Sequence, residues 1–291
     1  MLRIAVPNKG SLSEAAAGML REAGYRGRRE PKELVLIDVE QDIEFFFLRP
    51  RDIAVYVGSG SLDGGITGRD LLLDSGAAAV ESMSLGFAAS TFRFAARPGV
   101  ARSVKDIQGK RVATSYAGLV SAHLAEHGVQ AKVVRLDGAV ETAITLGVAD
   151  VIADVVETGT TLRQQGLEVF GEPILRSEAV LIQRADGLVQ GSVAQGSVAQ
   201  GSLDILARRL QGVITARSYV MMDYDVRVEL VEQACALTPG LESPTVSPLH
   251  DKGYVAVRAM VPRNSTNQVM DELYDLGARA ILVTDIAACR I

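Results

Sequence analysis

The chain has 291 residues, of which 48% are hydrophobic and only 5% aromatic, a composition typical of α/β sheets covered by helices. The formal net charge is −5 and no long basic run occurs, which excludes extended nucleic-acid binding. Two cysteines without metal-ligand spacing exclude a disulfide framework and a cysteine-based metal site.

The first predicted element is a strand at residues 2–6, which is too short to be a signal peptide and ends at Pro7. A polar loop containing Lys9 follows, and then a helix that begins at Ser11 or Ser13 and ends near Gly24. No apolar run approaches the ~18 residues that a membrane helix needs. We therefore expect a soluble, cytoplasmic protein without membrane contacts.

Strands and helices then alternate regularly, which argues for parallel sheets in an α/β fold. We predict helices at 50–57, from 70 onward, at 119–127 and at 139–146, and strands at 65–68, 112–115, 132–136 and 151–156. The strand-like stretches 91–97 and 179–184 are predicted to be two crossings between lobes. On that basis residues 1–90 with about 184–211 form lobe I, and residues 91–183 form lobe II, inserted within it.

The stretch 190–202 contains a repeated Gly-Ser-Val-Ala-Gln sequence that cannot bury a core, so we predict a mobile surface loop there. After a helix at 203–211, residues 212–291 form a separate predicted domain. Its strands are expected at 218–222, 245–247, 255–261 and 279–284, and its helices at 226–235 and 267–276. The order β-α-β-β-α-β is ferredoxin-like, and such domains often bind effectors or pair between subunits.

The most informative segment is 150–162, where a β-branched strand stops at a turn rich in Thr and Gly and a helix restarts at Leu162. Backbone N–H groups, hydroxyls and a helix N-terminus then face one small volume, which favours a phosphate. Asp154, at the end of the strand, suits sugar hydroxyls or a magnesium ion. The alternative is an ordinary strand-to-helix turn capped by Thr158.

Three more residues lie where predicted strands meet loops or helices, and each also has a plainer explanation. Lys9 follows the first strand at the edge where parallel sheets bind ligands, although a solvated lysine fits equally. Asp70 begins a helix after a Thr-Gly turn, and the alternative there is a helix cap. Glu141 lies in a predicted first helical turn, where stabilisation of the helix dipole is the alternative.

One metal-binding pattern is present but is set aside. His123, Glu126 and His127 match H-x-x-E-H, a zinc-protease signature. The only other histidine is His250, and the flanking residues fit an amphipathic surface helix that ends at Gly128. We therefore predict no zinc catalysis.

Taken together, several segments resemble the ATP phosphoribosyltransferase family, the first enzymes of histidine biosynthesis, in the long form with a C-terminal regulatory domain. The resemblance covers nearly the whole chain and depends on residues 4–10, 63–70, 109–116, 137–141, 149–150 and 154–162. It implies a two-lobed catalytic region like that of periplasmic binding proteins. It also implies that phosphoribosyl pyrophosphate and ATP meet in the cleft.

The resemblance further implies a role for particular residues. Phosphoribosyl pyrophosphate would contact Asp154, Val155, Val156, Glu157, Thr158, Gly159, Thr160 and Thr161. ATP would contact Lys9, Arg49, Arg69, Asp70 and Glu141, and the catalytic residues would be Glu141 and Asp154. Mg²⁺ is expected as cofactor, bound through the substrate pyrophosphate without an assigned protein ligand. Many relatives have arginine where this chain has Ser11, so the nucleotide contact of that arginine is expected to be either missing or supplied by Arg49 or Arg69.

The C-terminal block resembles the regulatory domain of the family over residues 222–225, 240–245 and 277–282. Asp225, Leu241, Thr245 and Ala280 are therefore candidates for contacting histidine as feedback inhibitor, since an aspartate suits its α-amino group or imidazolium. The resemblance also implies a homo-oligomer, a hexamer with dimeric forms. A domain that only packs is the alternative.

Two-lobed folds of this kind also occur in solute receptors and in the effector-sensing halves of transcription regulators. A secreted receptor would need an export signal, and a regulator would usually add a basic helix-turn-helix; neither is found before the first strand. A receptor would bind phosphoribosyl pyrophosphate without consuming it, which separates that class from a transferase.

Overall fold

The computed structural model describes residues 1–28, 30, 32–156, 159–185 and 195–290, with only the backbone described at 195–200. It contains two compact units. One comprises residues 1–21 with 25–207, and the other comprises residues 22–24 with 208–291. Within the described ranges, no helix is long and apolar enough to cross a membrane.

The first unit holds two sheets and most of the helices. Its strands are β1 (Leu2–Pro7), β2 (Val35–Asp38), β3 (Ile43–Leu48), β4 (Gly64–Gly68), β5 (Ala79–Ser84), β6 (Ser90–Ala96), β7 (Arg111–Thr114), β8 (Lys132–Arg135), β9 (Val151–Val156), β10 (Glu168–Ser177) and β11 (Ala179–Arg184). Its helices are α1 (Ser11–Glu22), α2 (Pro50–Gly58), α3 (Arg69–Ser75), α4 (Ala117–Glu126), α5 (Thr142–Thr145) and α6 (Thr160–Gln164), followed by α7 (Gln195–Ser218), which runs on into the second unit.

The first lobe is built on a six-stranded sheet in the order β2-β3-β1-β4-β11-β5. Strand β1 pairs in parallel with β3 and β4, whereas β11 runs antiparallel to β4 and β5. Ile4, Val6, Ile53 and Ile182 are fully buried in this lobe because helices cover the central strands. The three parallel strands therefore bring their carboxyl ends to one edge.

The second lobe is built on a five-stranded sheet in the order β10-β6-β9-β7-β8. One face packs Phe92, Phe94 and Val120, and the other packs Ile144 and Ile152. Strands β7, β8 and β9 are parallel, but β6 and β10 run antiparallel to their neighbours. The prediction of parallel sheets is wrong for these two strands, through which the chain enters and leaves the second lobe. It is also wrong for β2, β5 and β11 of the first sheet, which pair antiparallel with their neighbours.

The predicted two-lobed α/β architecture is confirmed by this division into two sheets. The chain crosses between them from β5 to β6 and from β10 to β11. The second crossing falls at Glu178, so the stretch 179–184 is a strand of the first sheet rather than part of lobe II. Antiparallel pairing with β4 decides this placement.

The second unit is an antiparallel sheet with two helices on one face. Its elements are β12 (Tyr219–Arg227), α8 (Val231–Leu237), β13 (Thr245–Pro248), β14 (Tyr254–Pro262), α9 (Thr266–Leu276) and β15 (Arg279–Asp285), with the sheet order β13-β14-β12-β15. Met222, Tyr224 and Leu273 form its core, and the Tyr224 hydroxyl lies 2.7 Å from that of Thr238. This is the predicted ferredoxin-like domain.

Three element predictions need correction. The predicted loop over the repeat is wrong from residue 195 onward, because α7 begins there; Leu206 and Leu210 are fully buried, and their burial offsets the weak helix propensity of Gly and Ser. The helix predicted at 139–146 shortens to α5, and Ala139 has a positive φ of 48°. Strand β12 extends to Arg227 with alternating burial, so α8 starts later than predicted.

Candidate active site

The turn between β9 and α6 forms one side of the candidate site. Gly159 has a φ of +68°, a left-handed conformation that favours glycine, and α6 begins at the next residue. A pocket of ≈ 320 Å³ opens beside this turn. Its lining residues are Glu141, Asp154, Val155, Val156, Gly159, Thr160, Thr161 and Leu162. Six of the eight residues predicted for phosphoribosyl binding thus share a pocket, and Glu157 and Thr158 lie outside the described residues.

The environment of Asp154 in this pocket raises the pKa of its carboxyl group. It accepts a hydrogen bond from its neighbour, the backbone N–H of Val155, at 2.8 Å. Burial raises the pKa of Asp154, and the nearby carboxylates of Glu141 and Asp70 raise it further, while the Val155 hydrogen bond opposes the shift. A cation, or hydroxyl donors, at this position would relieve the cost of burying the negative charge.

Glu141 reaches the same pocket from another element. The sequence predicted Glu141 within the first helical turn. It lies instead directly before α5, because the chain turns at Ala139. The Thr142 hydroxyl donates to the Ala139 carbonyl at 2.7 Å and closes this turn. The structure therefore places in one pocket the two carboxylates, Glu141 and Asp154, that α5 and the first half of β9 separate in the sequence.

The predicted nucleotide-side residues follow three parallel strands of the first sheet. Lys9 comes after β1, Arg49 after β3 and Asp70 after β4. Since β1 is parallel to both β3 and β4, all three residues lie at the same sheet edge. Lys9 and Arg49 are exposed, and their binding role stays a prediction.

Asp70 is held in place by a residue from the other lobe. It is 8% exposed, its Oδ1 accepts a hydrogen bond from the Ser177 hydroxyl at 2.8 Å, and its backbone N–H donates to the same hydroxyl at 3.1 Å. A Cβ at Gly68 would lie 2.3 Å from Asp70 Oδ1, so the carboxylate occupies space that only glycine leaves open. The position of this acid is therefore fixed by packing.

Arg69 is already engaged in ion pairs. Its guanidinium contacts Glu81 Oε1 at 2.7 Å and Glu178 Oε1 at 3.1 Å. These partners, Glu81 first, raise the pKa of Arg69 despite its partial burial. Of the two arginines predicted to replace the missing nucleotide contact, Arg49 therefore remains the better candidate.

Tyr116, the residue directly before α4 in the second lobe, is one that the sequence analysis did not assign to the site. It follows β7 and packs edge-on against Phe92, with ring centroids 5.0 Å apart. Burial raises the pKa of its phenol, and the carboxylate of Asp70 in the other lobe raises it further, with a smaller effect from Asp154. The one sequence feature that could have indicated Tyr116 as a site residue is its position directly after a predicted strand.

The candidate histidine contacts lie in the second unit. Asp225 of β12 lies on the face of the sheet opposite the core, together with Asp223, which accepts a hydrogen bond from Arg258 Nε at 2.6 Å. Thr245 is the register partner of Arg258, and thus shares this open face. Ala280 has a positive φ of 50° at an irregularity where β12 pairs with β15, and Leu241 is exposed before β13. The binding role of all four residues stays a prediction.

Comparisons with known proteins agree over the full length. The model of the ATP phosphoribosyltransferase family matches residues 49–212, and the model of the C-terminal domain of that family matches residues 216–288. Relatives named ATP phosphoribosyltransferase from Pseudarthrobacter chlorophenolicus and Streptomyces coelicolor are 67% and 65% identical, each with 100% of both chains covered. A solved structure, the ATP phosphoribosyl transferase (HisG:HisZ) complex from Thermotoga maritima, is 25% identical with a TM-score of 0.62, covering 74% of this chain and 98% of that one.

Proposed function

The chain belongs to the ATP phosphoribosyltransferase family, and we propose that it transfers the 5-phosphoribosyl group of phosphoribosyl pyrophosphate to N1 of the adenine of ATP. Pyrophosphate is released, and the reaction is the first step of histidine biosynthesis. The observation that carries the proposal is the pocket after β9. There the carboxylates of Asp154 and Glu141 lie beside Gly159 and the hydroxyls of Thr160 and Thr161.

The proposed position of the ribose donor follows from the chemistry of that pocket. Carboxylates accept hydrogen bonds from sugar hydroxyls, and small or hydroxylated residues after a left-handed glycine leave room for a phosphate. The residues 154–161 would therefore hold the ribose and its 5-phosphate. ATP would approach from the first lobe, near Lys9, Arg49 and Asp70.

In the transfer itself, the lone pair of adenine N1 forms a bond to the anomeric carbon of the ribose. The bond from that carbon to pyrophosphate breaks, and its electron pair leaves with pyrophosphate. The transition state has oxocarbenium character. Because the leaving group is already good, positioning and charge stabilisation are needed more than a strong base. Asp154 and Glu141 would place negative charge near the developing positive charge.

Magnesium fits this site as an ion carried by the substrate. In the described part of the chain, no group of three or more His, Cys, Asp and Glu side chains forms a metal cluster. Mg²⁺ commonly uses one or two carboxylates plus substrate phosphates, and Asp154 and Glu141 can supply those carboxylates. When bound, the ion would neutralise charge on the pyrophosphate leaving group.

We also propose that histidine inhibits the enzyme through the second unit and that the chain forms a homo-oligomer, with a hexamer and dimers as its forms. Asp225 and Thr245 on the open face of the sheet, with Leu241 just before β13 and Ala280 on β15, are the proposed contacts. Inhibition would follow from tighter histidine binding in a less active state.

The assay for the proposed function uses the full chain with ATP, phosphoribosyl pyrophosphate and Mg²⁺. We expect a product with a new adenine-derived absorbance to form at the same rate as pyrophosphate is released. We expect EDTA to stop both processes until Mg²⁺ is added back. Donor binding without pyrophosphate release would instead assign the protein to the receptors.

Replacing Gly159 by Ala tests the donor pocket. At a φ of +68° a side chain strains the turn, with a cost of order 1 kcal/mol. We expect the KM for phosphoribosyl pyrophosphate to rise roughly tenfold, while the KM for ATP changes little. Gly171→Ala, at a φ of +64° with open space around its Cβ, is the matched control. Equal effects of the two variants on the donor KM would argue against the pocket.

A further inference from the structure

The two lobes of the first unit are joined by a carboxylate that caps a helix of the opposite lobe. Asp74 lies near the end of α3 in the first lobe, and its side chain is only 10% exposed. Its Oδ1 accepts hydrogen bonds from the backbone N–H groups of Gly118 at 2.9 Å and Leu119 at 3.2 Å. Both belong to the first turn of α4 in the second lobe. Residues at helix N-termini usually find such an acceptor within their own segment.

Arg51 connects this junction to Tyr116. Its Nη1 donates to Asp74 Oδ2 at 2.9 Å, and its guanidinium carbon lies 4.9 Å from the centre of the Tyr116 ring. Tyr116 is the residue directly before α4. Asp74 thus fixes the start of α4 both directly and through Arg51, and the start of α4 carries Tyr116.

The backbones of α3 and α4 approach each other closely at this junction. A Cβ added at Gly118 would lie 2.4 Å from the backbone oxygen of Asp74, so the two helices touch where only glycine fits. Two hydrogen bonds between the lobes and a close backbone approach therefore coincide at the same point.

We propose that Asp74 is a positioning residue for the transfer reaction. It holds α4 against α3, and thereby keeps the lobes in the arrangement in which Tyr116 lies near Asp70 of one lobe and Asp154 of the other. This inference rests on the proposed function, since the arrangement matters only if two substrates react between the lobes. Asp74 itself need not touch either substrate.

Loss of the cap shifts the lobes toward more open arrangements. Both substrates would then bind a competent state that is less populated, and the apparent affinity falls by that fraction. Saturating substrates restore the competent state, so kcat changes little. A residue that served only local stability would lower the fraction of active protein and leave both KM values unchanged.

The experiment compares Asp74→Ala and Asp74→Asn with the unaltered full chain. We expect Asp74→Ala to raise the KM for ATP and for phosphoribosyl pyrophosphate together by about tenfold, with kcat within about twofold; tenfold corresponds to ~1.4 kcal/mol. Asparagine keeps one oxygen for the two N–H groups but loses the ion pair with Arg51, so Asp74→Asn should recover only the part of the change that the N–H contacts carry. Asp52→Ala, an exposed acid on α2, is the matched control.

Gly118→Ala provides a second variant that leaves Asp74 intact. Alanine favours a helix, so only the collision with Asp74 can explain a loss. We expect the same joint rise in both KM values. Gly18→Ala in α1, where the nearest atom is 3.9 Å from the added Cβ and belongs to the flexible Arg21 side chain, is the control.

Hydrogen exchange supplies a readout that does not depend on turnover. In Asp74→Ala we expect faster exchange of the Gly118 and Leu119 amides. Unchanged exchange, or a fall in kcat with both KM values unchanged, would overturn the role of Asp74. An unaltered chain without transfer activity would overturn the proposed function instead, and faster exchange in Asp74→Ala would then still establish the cap itself.

Discussion

Asp154→Asn is expected to lower kcat for phosphoribosyl transfer by roughly 100- to 1000-fold, the loss typical of removing one preorganised electrostatic contact to a transition state. The amide has nearly the shape of the carboxylate but carries no charge. The positive charge that develops on the ribose would therefore lose one of the two carboxylates that line the pocket. Initial rates at saturating ATP and phosphoribosyl pyrophosphate measure the effect.

The same substitution should not destabilise the protein at neutral pH. The pKa of Asp154 is raised in the folded state, mainly by burial, so ionising it costs folding free energy. That cost is absent well below the ordinary carboxyl pKa and is fully present above the raised folded pKa. The free energy of unfolding of Asp154→Asn should therefore increase relative to that of the unaltered protein as pH rises through this window. Urea unfolding at a series of pH values measures the difference.

Glu172→Gln is the matched control, since it removes an exposed acid from β10 of the same sheet. It should leave both kcat and the pH dependence of stability unchanged. Near-normal turnover in Asp154→Asn would remove this aspartate from the mechanism, and a loss of turnover caused by unfolding would show in the urea curves.

Ending the chain after Ser218 is expected to abolish inhibition by histidine completely while transfer activity persists. All four proposed histidine contacts belong to the removed segment, whose sheet has its own core around Met222 and Tyr224. The cut at Ser218 keeps α7 whole, whereas a cut near residue 211 would divide it. Initial rates over a range of histidine concentrations measure the response.

A point variant serves as the companion to this truncation. Asp225→Ala leaves the domain in place and should raise the half-inhibitory concentration of histidine at least about tenfold, as expected for losing a charge-assisted hydrogen bond. Glu232→Ala, an exposed acid on α8, should leave inhibition unchanged. Full inhibition of a folded truncated chain would place the histidine site elsewhere.

The sequence by itself determined those features that depend on neighbouring residues. The order and approximate positions of β12 to β15 were predicted, and the Thr/Gly turn predicted the change from β9 to α6 at Gly159. Asp154 could be chosen as a site residue because its place at the end of a strand is a local property. Such patterns act over a few residues, where side-chain period and turn conformation leave few alternatives.

Only the tertiary structure decided which of these residues meet. Ser177 holds Asp70 across a separation of 107 residues, and Asp74 caps Gly118 across 44. Arg69, whose nucleotide contact stays a prediction, is paired with Glu81 and Glu178. These contacts depend on sheet order and on where the chain crosses between lobes, and neither leaves a periodic signal in the sequence. The position of Tyr116 between two acids of different lobes follows from the same long-range packing.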